Sequence, residues 1–312
     1  MRILVVGAGA IGGYFGGRLL EDGRDVTFLV RPRRAAELAK HGLTIRSPLG
    51  DFHRPSPPIV TQKALAEPFD LVLLSCKAYD LDGATDSFGA AVGQNTAILP
   101  LLNGMRHLDA LAARFGPKPL LGGQCVISAT LNDEGIIVHF NDMHALSFGE
   151  LDGSRSPRIE AIASELVGTS GFEARLSAEI RQEMWEKWVF IASAAGIGCL
   201  MRATVGDYLA AGASDLATGL LDECTTIAAG QGHPPRPAAV ARARAILTAA
   251  GSSLKPSMLR DIEGGKPTEG DQILADLLRR AATRDVSPLL RIAAMHVKAY
   301  EIGRARAGTA AG

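Results

Sequence analysis

The 312-residue chain predicts an α/β protein, with a doubly wound parallel sheet in the N-terminal part and an all-α C-terminal domain after it. Three observations carry that prediction. Runs of strand length that are apolar at every position alternate with helical patterns through the first half, as strands covered on both faces require. The first of these runs breaks into a glycine turn and then a helix. From Ala178 onward, strand-like runs stop and only helical spacing remains. The length suits two domains of about 150 residues, each able to bury a core.

Taken in order, Arg2–Val6 reads as a buried strand, followed by the glycine turn and a helix through Leu20. Asp25–Val30 is the next strand, and Arg33–His41 a helix that stops at Gly42. Leu43–Arg46 and the proline-rich stretch to Val60 read as an irregular strand pair, confined to an edge by Pro57 and Pro58. Asp70–Ser75 and Thr96–Leu102 are further continuous apolar strands. After Gly122, Gln124–Thr130, Gly135–Phe140 and His144–Gly149 suit an antiparallel extension of the sheet. The second half carries helical spacing over Glu179–Leu200, Ala213–Gly230, Pro237–Ala250, Gly270–Arg284 and Pro288–Arg304. The tail Arg304–Gly312 is small and polar, and fraying is expected there. This change of pattern divides the chain into residues 1–175 and 176–312.

Composition excludes several function classes. The chain has 33 Lys and Arg against 33 Asp and Glu, so no net field draws nucleic acid or an anionic membrane. The longest uncharged apolar stretch, Val189–Met201, is shorter than the roughly 20 residues that span a bilayer. The N-terminal apolar run breaks at once into glycines, unlike a signal peptide. Cys76, Cys125, Cys199 and Cys224 are scattered without CxxC pairing, and the seven histidines include no HExxH. Neither a disulfide framework nor a metal site is expected, and a reducing, cytoplasmic compartment is.

Gly7-Ala8-Gly9-Ala10-Ile11-Gly12 fits GxGxxG, directly after a strand and at the start of a helix. The first glycine allows the turn, the second lets a pyrophosphate approach bare backbone, and the third lets helix pack closely on strand. The helix N-terminus adds amide donors and partial positive charge. A glycine-rich packing turn is the plainer alternative in a chain with 35 glycines, but the flanking strand and helix favour a dinucleotide. At the end of the second strand, an NAD site would want Asp or Glu for the ribose hydroxyls. Arg31 stands there instead, with Arg33 and Arg34 behind it. A guanidinium fork suits a phosphate dianion, so the cluster points to NADP; a solvated basic helix start is the alternative.

Ligands of open parallel sheets bind beyond the carboxyl ends of the strands. Cys76-Lys77-Ala78 and Asn103-Gly104-Met105 follow two of them. Lys77 offers a charge for phosphate, ribose or carboxylate, and Asn103 can donate and accept, although solvated lysines and Asn-Gly turns are both common. In the helical half, Lys187, Ile191, Ala195 and Gly198 share one helix face, an ammonium above a small apolar strip. The lysine reads equally as one that snorkels to solvent. Lys255–Asp261 and Lys266–Glu269 supply Ser257 and Glu269, with helix capping by Ser257 or Thr268 as the alternative.

The glycine loop Gly7–Gly13, Cys76-Lys77-Ala78-Tyr79, Leu102-Asn103-Gly104, Met184-Trp185-Glu186-Lys187-Trp188 and Pro256–Asp261 with Pro267-Thr268-Glu269 together resemble the ketopantoate reductase (2-dehydropantoate 2-reductase) family. The resemblance runs in order over residues 2–303. It implies a Rossmann-type domain, then a helical domain like the C-terminal part of 6-phosphogluconate dehydrogenase, with the active site in the cleft between them. It also implies NADPH-dependent reduction of 2-dehydropantoate to (R)-pantoate, a step toward pantothenate. Residue by residue, Gly7, Ala8, Gly9, Ala10, Ile11, Gly12 and Arg31 would hold the dinucleotide, and Lys77 and Asn103 its ribose–nicotinamide end. Lys187 matches the catalytic lysine, Ser257 a substrate-binding serine, and Glu269 the acidic residue near substrate and cofactor.

The chain also departs from the family pattern. Family members place asparagines four and eight residues after the catalytic lysine and three before the serine, where this chain has Ile191, Ala195 and Leu254. Those replacements leave a substrate hydroxyl without amide partners and imply a less polar 2-oxo acid. A regulator that binds NADP without turnover and a 3-hydroxy-acid dehydrogenase are the rival classes; Lys187 argues against the first and the Pro-Ser-Met…Pro-Thr-Glu segment against the second. The apolar helices leave a homodimer face open.

Overall fold

The computed structural model describes residues 1–282 and 287–310. The chain divides into two compact units. The first comprises Met1–Leu102 and His107–Arg181, and the second comprises Asn103–Arg106 with everything from Gln182 on.

The first unit opens with β1 (Arg2–Val6), α1 (Ala10–Glu21), β2 (Asp25–Leu29), α2 (Pro32–His41), β3 (Leu43–Arg46), β4 (Phe52–Arg54) and β5 (Ile59–Val60). It continues with β6 (Leu71–Leu74), α3 (Leu81–Phe88), β7 (Ala97–Pro100) and α4 (Arg106–Phe115). Last come β8 (Leu121–Leu131), β9 (Ile137–Glu150), α5 (Pro157–Leu166) and β10 (Glu173–Leu176). A parallel sheet runs in the order β5-β2-β1-β6-β7, with Val5 level with Phe28 and Leu73. Successive strand residues face opposite sides, so each side of this sheet builds its own core. Ile3, Val5, Phe28, Leu73 and Leu99 pack with Phe15 and Leu19 of α1 and with Ile45 and Ile137 of the second sheet. Leu4, Val6, Val72, Leu74 and Ile98 pack on the other side with Leu81 and Phe88 of α3 and Leu111 of α4.

The order of strands reverses between β1 and β6, which is where doubly wound sheets open a crevice beyond the strand ends. The glycine loop leaves β1 and the Ser75-Cys76-Lys77 loop leaves β6 at that point.

Several elements differ from expectation. The stretch from Leu43 to Val60 is not one strand pair. β3 and β4 form an antiparallel pair in a second sheet of order β10-β9-β3-β4, while β5 crosses to the edge beside β2. Pro58 accepts there through its carbonyl, from Phe28 N–H at 2.9 Å, which needs no proline donor. The three runs after Gly122 form two long strands, β8 and a continuous 14-residue β9. A register shift between Ile127 and Ala129 lets β8 keep pace with β9 through the polar stretch around Asn141. These strands belong to the second sheet, which packs on the first through side chains such as Ile137 and Phe148, while one isolated backbone bridge, Ile98 to Leu120, forms just before β8. Helix α5 and strand β10, unread in the sequence, complete this unit.

The second unit is helical: α6 (Ile180–Met201), α7 (Val205–Ala210), α8 (Ser214–Gly230), α9 (Pro237–Leu247), α10 (Ser257–Glu263), α11 (Asp276–Arg279) and α12 (Pro288–Ala310). α6 is apolar nearly all round because it is buried nearly all round, from Trp188 through Cys199. Its one buried hydroxyl in that stretch, Ser193, donates to the Val189 carbonyl at 2.8 Å. The helix expected over Gly270–Arg284 is instead a π turn, Asp271–Ala275, followed by the short α11; Arg284 lies outside the described residues. The tail expected to fray continues as helix to Ala310, with Arg304 paired to Glu301 at 3.1 Å, and residues 311–312 lie outside the description. No helix among the described residues is long and apolar enough to cross a membrane.

Candidate active site

In the first unit the glycine loop is built by close approach. Gly7 sits at φ +95°, where a side chain would strain the backbone, and its N–H donates to the Leu29 carbonyl at 2.9 Å. At Gly12 a Cβ would collide with Ser75 Oγ and the Gly7 carbonyl, so only glycine lets α1 start this close to the sheet. Ser75 Oγ is itself committed, donating to the Val6 carbonyl at 3.0 Å. At Gly9, by contrast, a Cβ would meet nothing within 4 Å. The first helical bond is Gly13 N–H to the Gly9 carbonyl, at 2.8 Å, so the amides of Ala10, Ile11 and Gly12 precede the ladder and face outward from the helix end. Space at Gly9 and open donors at a helix N-terminus fit a pyrophosphate.

The basic cluster separates into three roles. Arg31, the residue before α2, has a side chain 73% exposed and pairs with Asp80 at 2.8 Å. Arg33 is exposed and pairs with Glu37 at 3.2 Å. Arg34 is mostly buried and braces the glycine loop, donating to the Ala8 carbonyl at 3.2 Å and to the Gly135 carbonyl at 3.1 Å. Lys77 is exposed and precedes the short turn Ala78–Asp80 that carries Asp80, with Asp80 N–H on the Lys77 carbonyl at 2.9 Å. The turn ties Lys77 to the partner of Arg31.

In the second unit, Lys187, Ile191, Ala195 and Gly198 lie along one side of α6, half-buried at Lys187 and Ile191 and buried at Ala195 and Gly198. A Cβ on Gly198 would lie 2.9 Å from Pro256 Cγ, so Pro256 sits against this side of α6. Ser257 follows as the exposed first residue of α10. It does not cap that helix: the cap position is Pro256 and no side chain caps it. The Leu254 carbonyl accepts from Val205 N–H at 3.1 Å, which holds this loop onto the start of α7.

Asn103 and Glu269 are linked through Gln272. The buried Gln272, three residues after Glu269, donates through Nε2 to the Asn103 carbonyl at 2.8 Å. The turn is tight there, since Gly104 has φ +75° and a Cβ on it would lie 3.0 Å from the Gln272 carbonyl. The Glu269 carbonyl accepts from Gln272 N–H and Ile273 N–H at 3.1 and 2.9 Å, and Glu269 is buried. Trp188, beside Lys187, donates its indole N–H to the Ile273 carbonyl at 2.9 Å within the π turn. One irregular turn thus receives both the α6 segment carrying Lys187 and the Asn103 loop. Burial raises the Glu186 carboxyl, but hydrogen bonds from Arg236 and Gln182 outweigh it and hold it below the usual range. Glu186 is therefore an anion committed to Arg236, at 2.7 Å.

Sequence reasoning singled out neither Asp80, Ser75, Gln272 nor Trp188 as site residues. Gln272 had a local signal, one helical turn beyond Glu269, while Ser75 and Asp80 meet their partners only in the fold.

Two family models match in succession: Ketopantoate reductase PanE/ApbA over residues 3–153, and its C-terminal counterpart over residues 179–301. An uncharacterized oxidoreductase of Bacillus subtilis, YkpB, is 37% identical over 303 residues, covering 96% of this chain and 99% of that protein. Among solved structures, 2-dehydropantoate 2-reductase from Methylococcus capsulatus superposes with TM-score 0.86 at 26% identity, covering 97% and 98% of the two chains. D-mandelate dehydrogenase, solved with NADH and anilino(oxo)acetate, shares the fold with TM-score 0.85 at 22% identity. A parallel-sheet unit of Rossmann type followed by a helical unit, matched along nearly its whole length, makes this chain an oxidoreductase of the ketopantoate reductase family.

Proposed function

We propose that this chain uses NADPH to reduce the C2 carbonyl of a 2-oxo acid, with 2-dehydropantoate to (R)-pantoate as the first candidate reaction. The single observation behind this reading is the π turn that gathers Trp188, next to Lys187, together with Glu269 and the Asn103 loop. The glycine cradle and Arg31 fit a phosphorylated dinucleotide, and when bound it would supply the hydride.

The protein's own part is electrostatic and positional. Reduction leaves negative charge on the carbonyl oxygen, and the Lys187 ammonium stabilises that charge and delivers the proton. Asn103 and Glu269 orient the reacting groups around it. Lys77 or Ser257 supplies a polar contact for the substrate carboxylate or hydroxyl, and Lys77 and Asn103 would meet the ribose–nicotinamide end of the cofactor. The protein acts in the cytoplasm on this reading, and a homodimer is compatible with it.

A second reading of the substrate has its own observation. The side of α6 below Lys187 is Ile191, Ala195 and Gly198, closed by Pro256, and offers no amide to a substrate hydroxyl. An unpaired hydroxyl in a dry site costs about 1–3 kcal/mol, or roughly 5- to 150-fold in kcat/KM. A less polar 2-oxo acid avoids that cost. The test is to follow NADPH absorbance with 2-dehydropantoate, 2-oxoisovalerate and its longer branched homologues, in the wild type and in Ile191→Asn/Ala195→Asn. Preference for the branched acids, reversed toward 2-dehydropantoate by the asparagines, supports the less polar substrate. A wild type that already favours 2-dehydropantoate about a hundredfold, unchanged by the asparagines, leaves 2-dehydropantoate as the substrate. No turnover with any 2-oxo acid would overturn both.

A further inference from the structure

Arg31 does not face its prospective phosphate alone. Its Nη2 donates to Asp80 Oδ1 at 2.8 Å, bridging the end of β2 and the loop after β6. The Asp80 side chain is 38% exposed and that of Arg31 73%, so a third charged group can reach the pair from solvent. Arg33 and Arg34 are each paired with Glu37, at 3.2 Å, so no second guanidinium of the cluster replaces Arg31 at the strand end without breaking a pair. The hydrogen bond and charge of Asp80 raise the Arg31 pKa above its ordinary value, in keeping with their 2.8 Å contact.

A 2′-phosphate that seeks Arg31 therefore meets a carboxylate already bound to the same guanidinium. A 2′-hydroxyl meets instead a ready acceptor. We propose that Asp80 is a specificity-determining residue for the cofactor: it opposes the 2′-phosphate, tolerates the 2′-hydroxyl, and so narrows the margin by which this chain prefers NADPH over NADH. The proposal rests on the reading that Arg31 faces the adenosine 2′ position.

The expected size follows from Coulomb's law. A dianion about 6 Å from a unit charge in water is disfavoured roughly tenfold at low ionic strength. Screening with a Debye length of about 8 Å reduces that to roughly threefold near physiological salt. Asp80→Asn is the informative change, since the amide oxygen still accepts from Arg31 while the charge is gone.

The experiment titrates the purified full chain with NADPH and with NADH, without substrate, by nucleotide fluorescence at low and high salt. Wild type, Asp80→Asn and Arg31→Ala are compared, with thermal melts to verify folding. Asp80→Asn is expected to tighten NADPH about 3- to 10-fold at low salt, less at high salt, and to leave NADH no tighter. If Asp80→Asn leaves NADPH unchanged or weaker while Arg31→Ala still weakens it, Asp80 merely orients Arg31 and the proposal is overturned. If Arg31→Ala leaves NADPH affinity intact, the placement of the 2′ group at Arg31 falls first, and the proposal with it.

Discussion

Gly9, the N-cap of α1, and Gly12, in its first turn, sit three residues apart, yet substitution by alanine should separate binding from folding. At Gly9 the backbone is extended, φ −88° and ψ −161°, a region alanine adopts freely, and a Cβ there meets nothing within 4 Å. Alanine reduces the freedom of the unfolded chain, worth about 0.4–1 kcal/mol. It also gives up glycine's advantage at a helix N-cap, which is of similar size, so the net change in stability is about zero. The open space at Gly9 is where a pyrophosphate would approach bare backbone, and a methyl group there displaces it. NADPH affinity should fall about 10- to 100-fold in Gly9→Ala, the equivalent of losing one hydrogen bond to a charged group. At Gly12 the added Cβ collides with Ser75 Oγ and with the Gly7 carbonyl, and lies 3.1 Å from Val5 Cγ1. A backbone oxygen cannot step aside cheaply, so Gly12→Ala should lose about 1–3 kcal/mol, the usual cost of overpacking. The assay pairs urea unfolding with NADPH titration on the same preparations. A Gly9→Ala variant that binds NADPH like the wild type would refute the placement of the cofactor, and one that unfolds as easily as Gly12→Ala would refute the reading of open space.

Gln272→Leu keeps the volume but removes the donor to the Asn103 carbonyl. It should lower kcat about 10- to 100-fold with KM much less affected, as steady-state kinetics would read, because it loosens alignment rather than substrate contact. Trp188→Phe leaves the buried Ile273 carbonyl without its indole donor, and urea unfolding should record a loss of about 1–3 kcal/mol. Away from the site, hydrogen bonds from Arg158 and Ser156 outweigh burial and hold the Glu150 carboxyl below the usual range. Because that pKa is depressed in the fold, its contribution is present above the unfolded value and lost as pH falls through the folded one. Glu150→Gln should cost about 1 kcal/mol at neutral pH, discounted for a partner one-third exposed, and progressively less in urea titrations carried below roughly pH 4.

What the sequence disclosed tracks how local each feature is. β1, β2, β6 and β7 were legible because a strand covered on both sides must be apolar at every position, and Val72 to Leu74 can be little else. α6 was legible from 22 residues of continuous helical spacing. Strands of the second sheet were legible too, but not that they form a sheet of their own, because β3 finds Ile137 more than ninety residues away and no local pattern records that pairing. α7 and α10, of 6 and 7 residues, are too short for periodicity to declare. The glycine loop and Arg31 could be read from residue chemistry alone. Lys187, Glu269 and Asn103 rose above ordinary surface residues only through resemblance. What binds the last two into one place is a glutamine side chain reaching 169 positions back along the chain, just as Asp80 reaches Arg31 across 49. Such pairings exist only once the chain has folded.

If Lys187 protonates the oxygen formed when a 2-oxo acid is reduced, removing its ammonium must slow the chemical step itself. The most direct measurement is single-turnover oxidation of saturating NADPH by the best 2-oxo acid, in wild type and Lys187→Ala, with NADPH affinity determined separately. The expected result is a rate lower by about 10²–10⁴ in the variant, the usual worth of a positioned general acid, with NADPH affinity nearly intact. A Lys187→Ala rate close to that of the wild type would contradict it and assign the proton to another group.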